Sequence, residues 1–220
     1  MAGAGESQAV RYARDASEFD RAIAFIDATF AVALTLLITT LDVDDPVSSF
    51  SSLSAFGDAA GAQLLAFAIA FVVIAAYWLG HHRMVAEFVA IDRPTIVVNL
   101  FLIAAIVLLP FTTRSVGDPD VADLALPTVL MAVNIAIVSV LHLLVWVTAR
   151  RRGLLDHTPT PDESREKVIN GLVAPVVFLA SVPIAYLASP DVARLSWLAL
   201  IVVNPAVGTL TARIGRRGQG

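Results

Sequence analysis

The sequence predicts an all-α integral membrane protein with six transmembrane helices per subunit, and three observations predict it. Over 220 residues, 57% are hydrophobic and 15% charged, with a mean hydropathy of +0.77, which is far too apolar for a soluble domain of this length. Apolar runs alternate six times with short polar connectors, and such runs suit a hydrocarbon layer about 30 Å thick. With the N-terminus inside, 13 of the 15 basic residues fall on one side of these runs and only Arg114 and Arg194 on the other. That asymmetry is the positive-inside pattern and predicts both termini cytoplasmic.

Each element has its own signals. Residues 1–16 are polar and small, and read as a frayed cytoplasmic tail. Ser17 and Asp20 resemble a helix start, and the first span covers 18–41. Its Arg-flanked apolar run ends in Leu-Asp-Val-Asp-Asp without a small-x-small cleavage pattern, so it reads as a retained span. Asp42, Asp44, Asp45 and Pro46 end it, and a Ser-rich connector leads to Asp58, which predicts a cap for a second span over 59–82. Pro94 stands at the start of the third span, which runs to Thr113. Asp123 predicts the cap of the fourth, which ends at Arg150, Arg151 and Arg152.

Thr160, Pro161 and Glu163 form the strongest local signal: a capping box with proline at the first helical position. The fifth span follows, with Pro175 and Pro183 expected to kink it. The sixth begins after Ser189-Pro190-Asp191, contains Pro205 and runs to Ala212. The domain division is therefore a tail (1–16), a membrane domain (17–213) and a second short cytoplasmic tail (214–220).

Composition and motifs exclude several classes. The chain has no cysteine, so disulfides and thiolate metal or redox chemistry are absent. No G-x-S-x-G, H-E-x-x-H, Walker A or G-x-G-x-x-G pattern occurs. No enzyme, cofactor, tightly bound metal or nucleic-acid partner is expected. His81, His82 and His142 have the chemistry of haem ligands, although packing is the commoner role of such residues.

Within the first span, Arg21, Phe25, Ala28, Val32, Leu36 and Thr39 form one helical stripe, and Asp27, Ala31, Thr35 and Ile38 a neighbouring one. One stripe lines something while the other packs, or the apolar stripe simply meets lipid or another helix. Asp27 stands out because a carboxylate at this depth needs a partner that lipid does not supply. With Arg21, His81, His82 and Asn99 it lies towards the same side, where these groups can meet and fix helix packing. Asp42, Asp44 and Asp45 make the opposite side acidic and attractive to cations, or are ordinary loop residues.

The run Arg21-Ala-Ile-Ala-Phe25-Ile-Asp27 resembles the start of the first helix in the transmembrane protein 175 family of potassium channels, where Arg and three residues precede Phe-Ser-Asp. The likeness continues at Phe30-Ala31, Thr35-Leu36-Leu37, Trp78 with His81 and His82, Asp92, Asn99-Leu100 and Pro110-Phe111-Thr112. It covers about the first half of the chain; the last three spans match only in number and hydrophobicity.

The resemblance implies a homotetramer in which the first helix of each subunit lines a central pore. Its constriction would stand five, nine and twelve positions after the motif Asp, at Val32, Leu36 and Thr39, with Thr35 behind it. The resemblance also implies a packing network of Arg21, Phe25, Asp27, Trp78, His81 and Asn99. Ile26 stands where the family has Ser, Val32 is smaller than the usual Ile, and Thr39 is polar where Leu is common. These changes imply a wider, wetter constriction. The expected function is a potassium-permeable, weakly selective cation channel in a bacterial inner membrane, with potassium ions, lipid and further copies of the chain as partners. The alternative is a proton-coupled secondary transporter using Asp27, with prolines making discontinuous helices.

Overall fold

The long helices form over the apolar runs, three of them behind a capping side chain and two behind a residue that supplies none. The computed structural model describes residues 10–43, 45–121 and 123–200. Helix α1 covers Ser17–Leu36 and tightens into a 3-10 turn over Leu37–Thr40. The hydroxyls of Thr35, Thr39 and Thr40 donate to carbonyls three residues back, at 2.8, 2.7 and 2.7 Å, which accompanies the tighter winding. A single turn, α2 (Pro46–Ser49), is capped by Asp45. Helix α3 covers Leu53–Ala86 and is about 51 Å long, more than a hydrocarbon layer needs.

Helix α4 (Arg93–Val107) and helix α5 (Leu109–Gly117) follow, then α6 (Ala125–Arg151), α7 (Pro161–Leu187) and the short α8 (Pro190–Ser196). Among the described residues, five helical segments are long and apolar enough to cross a membrane: α1 with its 3-10 turn, α3, the α4–α5 pair, α6 and α7. The expected sixth span is described only from Pro190 to Leu200, and its remainder, Pro205 included, lies outside the described residues.

Several expected boundaries shift, each for a local reason. Ala16, with no side-chain cap, precedes α1, because the Ser17 hydroxyl donates to Glu18 instead. The cap of α3 is Ser52, whose hydroxyl accepts from Ala55 N at 3.1 Å, so the helix starts before Asp58. Asp123 does not cap α6, which follows Leu124 without a side-chain cap. The box at Thr160 forms in both directions, with Glu163 N donating to Thr160 Oγ1 and Thr160 N to Glu163 Oε2. Helix α7 runs continuously through Pro175 and Pro183, so these prolines do not divide it into half-helices.

The third span is broken. Pro110 has no N–H to give the carbonyl of Ile106, and the chain restarts at Leu109 as α5 with proline in its first turn. Asn134 of α6 bridges the break. With its oxygen turned towards Leu109 N, its amide donates to Ala105 O at 3.0 Å and accepts from Leu109 N at 3.3 Å. The opposite assignment sets its oxygen against acceptors only.

The tail is also more ordered than its composition suggests. Strand β1 (Arg11–Ala13) pairs antiparallel with β2 (Ala90–Asp92), placing Tyr12 opposite Ile91, so residues 11–13 are not frayed. Phe88 bridges Leu155, and Val89 N donates to Leu154 O at 2.9 Å. The N-terminal segment, the α3–α4 turn and the α6–α7 turn therefore form one clasp. Arg14 closes the end of α3 by donating to Ala86 O and Phe88 O at 2.7 and 2.9 Å. Gly153, with φ of 63°, turns the chain out of α6 towards Leu154 and Leu155.

Helix α6 is the centre of the subunit, packing against α4, α5 and α7. The α4–α5 and α6 segments are half-buried, whereas α1, α3 and α7 are mostly uncovered within one chain. Phe30, Ile74, Leu102, Ile106 and Ile135 form the inner core.

Candidate functional site

The first helix divides into two faces of opposite character. Ile26, Phe30, Ala33 and Leu37 are at most 2% exposed, while Phe25, Val32 and Leu36 are 57%, 51% and 39% exposed. Arg21, Ala28, Thr35 and Thr39 lie on the exposed side as well. The buried face packs on α4 and α3. The other runs the length of the helix as an apolar stripe with two hydroxyls and no charge between Asp27 and Asp42. Because Thr35 and Thr39 donate their hydroxyl protons to their own helix, what they offer outward is an oxygen lone pair, the kind of ligand a hydrated cation accepts.

At one end of this stripe, Trp78 Nε1 donates to Asp27 Oδ1 at 3.0 Å, so α3 supplies the partner that lipid cannot. His82 packs beside Trp78, with ring centroids 5.7 Å apart. His81 is buried and packs on Phe30 at 5.8 Å and on His142 at 6.0 Å. Asn99 is buried and donates to Thr95 O on its own helix at 2.9 Å. Of the six expected network residues, the structure therefore joins Asp27 to Trp78 by a hydrogen bond and sets His81 against Phe30. Among the described residues, neither His81 nor Asn99 hydrogen-bonds Asp27, and Arg21 and Phe25 face outward.

At the other end, Asp42 pairs with Arg114 at 3.3 Å, and its backbone N–H donates to Gln63 at 2.7 Å. Both charged groups of that pair are more than half exposed, so the pair is weak and leaves much of the acid's field in place. Asp45 caps α2, and its hydrogen bonds from Ser48 hold its carboxyl below the usual carboxylate range. Asp44 lies outside the described residues. Arg194 pairs with Asp191 at 2.9 Å and donates to Val116 O, so both arginines set apart by the positive-inside pattern stand at this acidic end.

The buried Asp92 ion pair was not legible as a pair in the sequence. Asp92 is fully buried, accepts from Thr95 N and Thr95 Oγ1 at 3.1 and 2.7 Å, and pairs with Arg152. Burial pushes its carboxyl up, but the hydrogen bonds from Arg152 and Thr95 and the charge of Arg152 outweigh that and hold it below the usual range. The β-branched and aromatic run Phe88-Val89-Ala90-Ile91 was the available signal for the strand that places it.

The family profile described as "Endosomal/lysosomal potassium channel TMEM175" matches residues 21–110. A potassium channel of Streptomyces collinus (strain DSM 40733 / Tue 365) is 26% identical over 183 residues, 79% of this chain and 85% of that one. Two solved structures share the fold. A TMEM175 homolog from Chamaesiphon minutus, titled a lysosomal potassium-selective channel homolog, has a TM-score of 0.68 and 20% identity, covering 87% of this chain and 98% of that one. A threonine-to-alanine variant of the potassium channel MtTMEM175, solved with a nanobody–MBP fusion, has a TM-score of 0.61 and 17% identity, covering 94% and 98%. The profile begins at Arg21, takes in the Asp27–Trp78 contact and both faces of α1, and ends at the Pro110 break; with these relatives it likens the chain to the prokaryotic members of the TMEM175 family and, with its apolar helices, supports a multi-pass membrane protein.

Proposed function

We infer that this chain is the subunit of a potassium-permeable, weakly selective cation channel and not an enzyme. The observation that carries this reading is the α1 stripe: an exposed face, uncharged between Asp27 and Asp42, along a helix whose opposite face is packed. Four copies arranged around an axis bury that face against each other and leave a central path lined by Val32, Leu36 and Thr39, with Thr35 beside it. Val32 and Leu36 form a hydrophobic gate that closes by dewetting, and Thr39 adds a ring of hydroxyl oxygens on the acidic side. Asp42, Asp44 and Asp45 raise the local cation concentration at the outer mouth.

In the same reading each subunit has six transmembrane helices. Residues 1–16 and 214–220 are cytoplasmic around a membrane domain of 17–213, and the protein lies in a bacterial inner membrane with both termini inside. The family match and the names of the relatives support potassium as the permeant ion. The uninterrupted α7 gives the transporter alternative no support.

The test is the reversal potential of the purified protein in planar bilayers with potassium on one side and sodium on the other. The expected current reverses part of the way towards the potassium equilibrium potential. Leu36→Ser and Leu36→Asn should raise the leak, because a polar ring keeps the constriction wet. A folded tetramer that carries no current, or leak unchanged by either substitution, contradicts the reading.

A further inference from the structure

On the side of the chain away from the α1 stripe, α3, α6, α7 and Leu200, the last described residue of the expected sixth span, line a partly open cavity of about 400 Å³, within the size range of small-ligand sites. One face of α7 lines it in a graded order: Lys167, Asn170, Gly171, Ala174 and Phe178. Helical spacing puts these five on one stripe, which runs from a cation through an amide to small and then aromatic residues. Lys167 is the only lysine in the chain and lies about 9 Å along the helix from Pro161, at the end of α7 that the positive-inside pattern assigns to the cytoplasmic interface. Among the described residues it has no ion-pair partner. Glu163, one turn before it on the same face, is held in the Thr160 cap, and Glu166, its neighbour in sequence, makes no ion pair with it among the described residues.

Among the described residues, two polar atoms of the lining are buried without a partner: Asn170 Oδ1 and His142 Nε2. Tyr77 and Ser139 also line it but hydrogen-bond each other. At the same mouth the Arg150 guanidinium lies 5.9 Å from the centre of the Trp146 ring, a second cation beside the lining residue Trp146. Gly171 approaches the Leu143 side chain so closely that an added Cβ would stand 3.0 Å from its methyl end, so any residue larger than glycine here would push Leu143 aside.

We propose that this cavity holds one anionic glycerolipid of the surrounding bilayer. Its phosphate sits at Lys167, a headgroup hydroxyl donates to Asn170, and an acyl chain runs along Gly171, Ala174 and Phe178. A cation at the mouth selects the charge, the unpartnered amide oxygen selects a donor, and the apolar far wall takes the chain. The inference rests on the chain's being a multi-pass membrane protein and is independent of whether it conducts.

The test is lipid retention by the full-length, delipidated protein in detergent, read by native mass spectrometry with phosphatidylglycerol or phosphatidylcholine added. The parent should retain one phosphatidylglycerol per chain, about fivefold more strongly than phosphatidylcholine. Lys167→Gln should abolish that preference and Lys167→Arg preserve it. Ala174→Phe, which fills the chain groove and leaves the cation in place, should lower retention of both lipids. Equal retention of the two lipids by the parent, or a preference surviving Lys167→Gln, overturns the proposal. So does retention untouched by Ala174→Phe, or displacement of the lipid by glycerol phosphate at equal concentration. Since no current is measured, failure here is separate from failure of the channel reading.

Discussion

At the scale of single residues, the sharpest contact is the hydrogen bond from Trp78 to Asp27. Asp27 is partly buried in α1 and Trp78 partly buried in α3, so the bond is charge-assisted and only partly wet, a class of interaction worth about 1.5–3 kcal/mol. Asp27→Ala and Trp78→Phe should each lower stability by about that amount in thermal melts of the detergent-solubilised protein. The double variant should lose little more than the worse single one. Additive losses would mean the two residues act separately.

Asp92 makes a prediction in pH. Its carboxyl is held below the usual range, so its contribution is complete above the ordinary carboxylate value and is lost as pH falls through the folded-state value. The protection factors of the Tyr12, Arg14 and Ile91 amides, their exchange measured against the unprotected rate at each pH, should therefore fall on going from pH 6 to pH 3. Removing Arg152 leaves a buried carboxylate unpaired. Because Arg152 is itself 31% exposed, Arg152→Ala should cost about 2–3 kcal/mol, the lower side of what breaking a buried pair costs. At this scale the sequence singled out Asp27 from depth and charge alone, whereas its hydrogen-bond partner among the aromatic and polar residues of the second span became visible only in three dimensions. Arg152 looked like one of three equivalent arginines in a positive-inside cluster, and nothing local marks it as the partner of Asp92.

At the scale of elements, apolar runs placed the helices and short polar residues placed their ends less well. Thr160-Pro161-Asp162-Glu163 was readable because all the signals of a capping box coincide there. Asp58 and Asp123 were misleading because Ser52 and Leu124, with the tertiary packing around them, define the starts instead. The break between α4 and α5 shows what a single-sequence reading lacks. Pro110 announces a missing N–H, but the residue that pairs with Ala105 O and Leu109 N across the break, Asn134, lies on another helix. Asn134→Leu would leave Ala105 O and Leu109 N buried without partners. At about 1–3 kcal/mol for each orphaned group, it should destabilise the protein by several kcal/mol, more than Asn134→Gln, measured by thermal unfolding. A loss under about 1 kcal/mol would mean water replaces the amide. The clasp of β1 on β2 was hidden for a different reason: a three-residue strand has no periodicity to detect.

At the scale of the whole molecule, the uneven burial of the helices matters most. The α4–α5 and α6 segments form a packed centre, while α1, α3 and α7 are mostly uncovered, and the exposed face of α1 is the one the proposed channel assembly would cover. The stripe was legible in the sequence from spacing alone, since Val32, Leu36 and Thr39 follow helical steps. That its opposite face is buried required the fold. The absence of cysteine from the chain makes the central claim directly testable, because an introduced thiol is the only one present. We would place single cysteines at Thr39, Leu36 and Ala33, reconstitute each into liposomes, and measure potassium flux before and after a cationic thiol reagent applied from the acidic side. The pore reading predicts that flux falls to background at Thr39, falls at Leu36, and is unchanged at Ala33, which is fully buried on the opposite face. Flux that responds equally, or not at all, at the three positions would contradict a pore lined by this stripe.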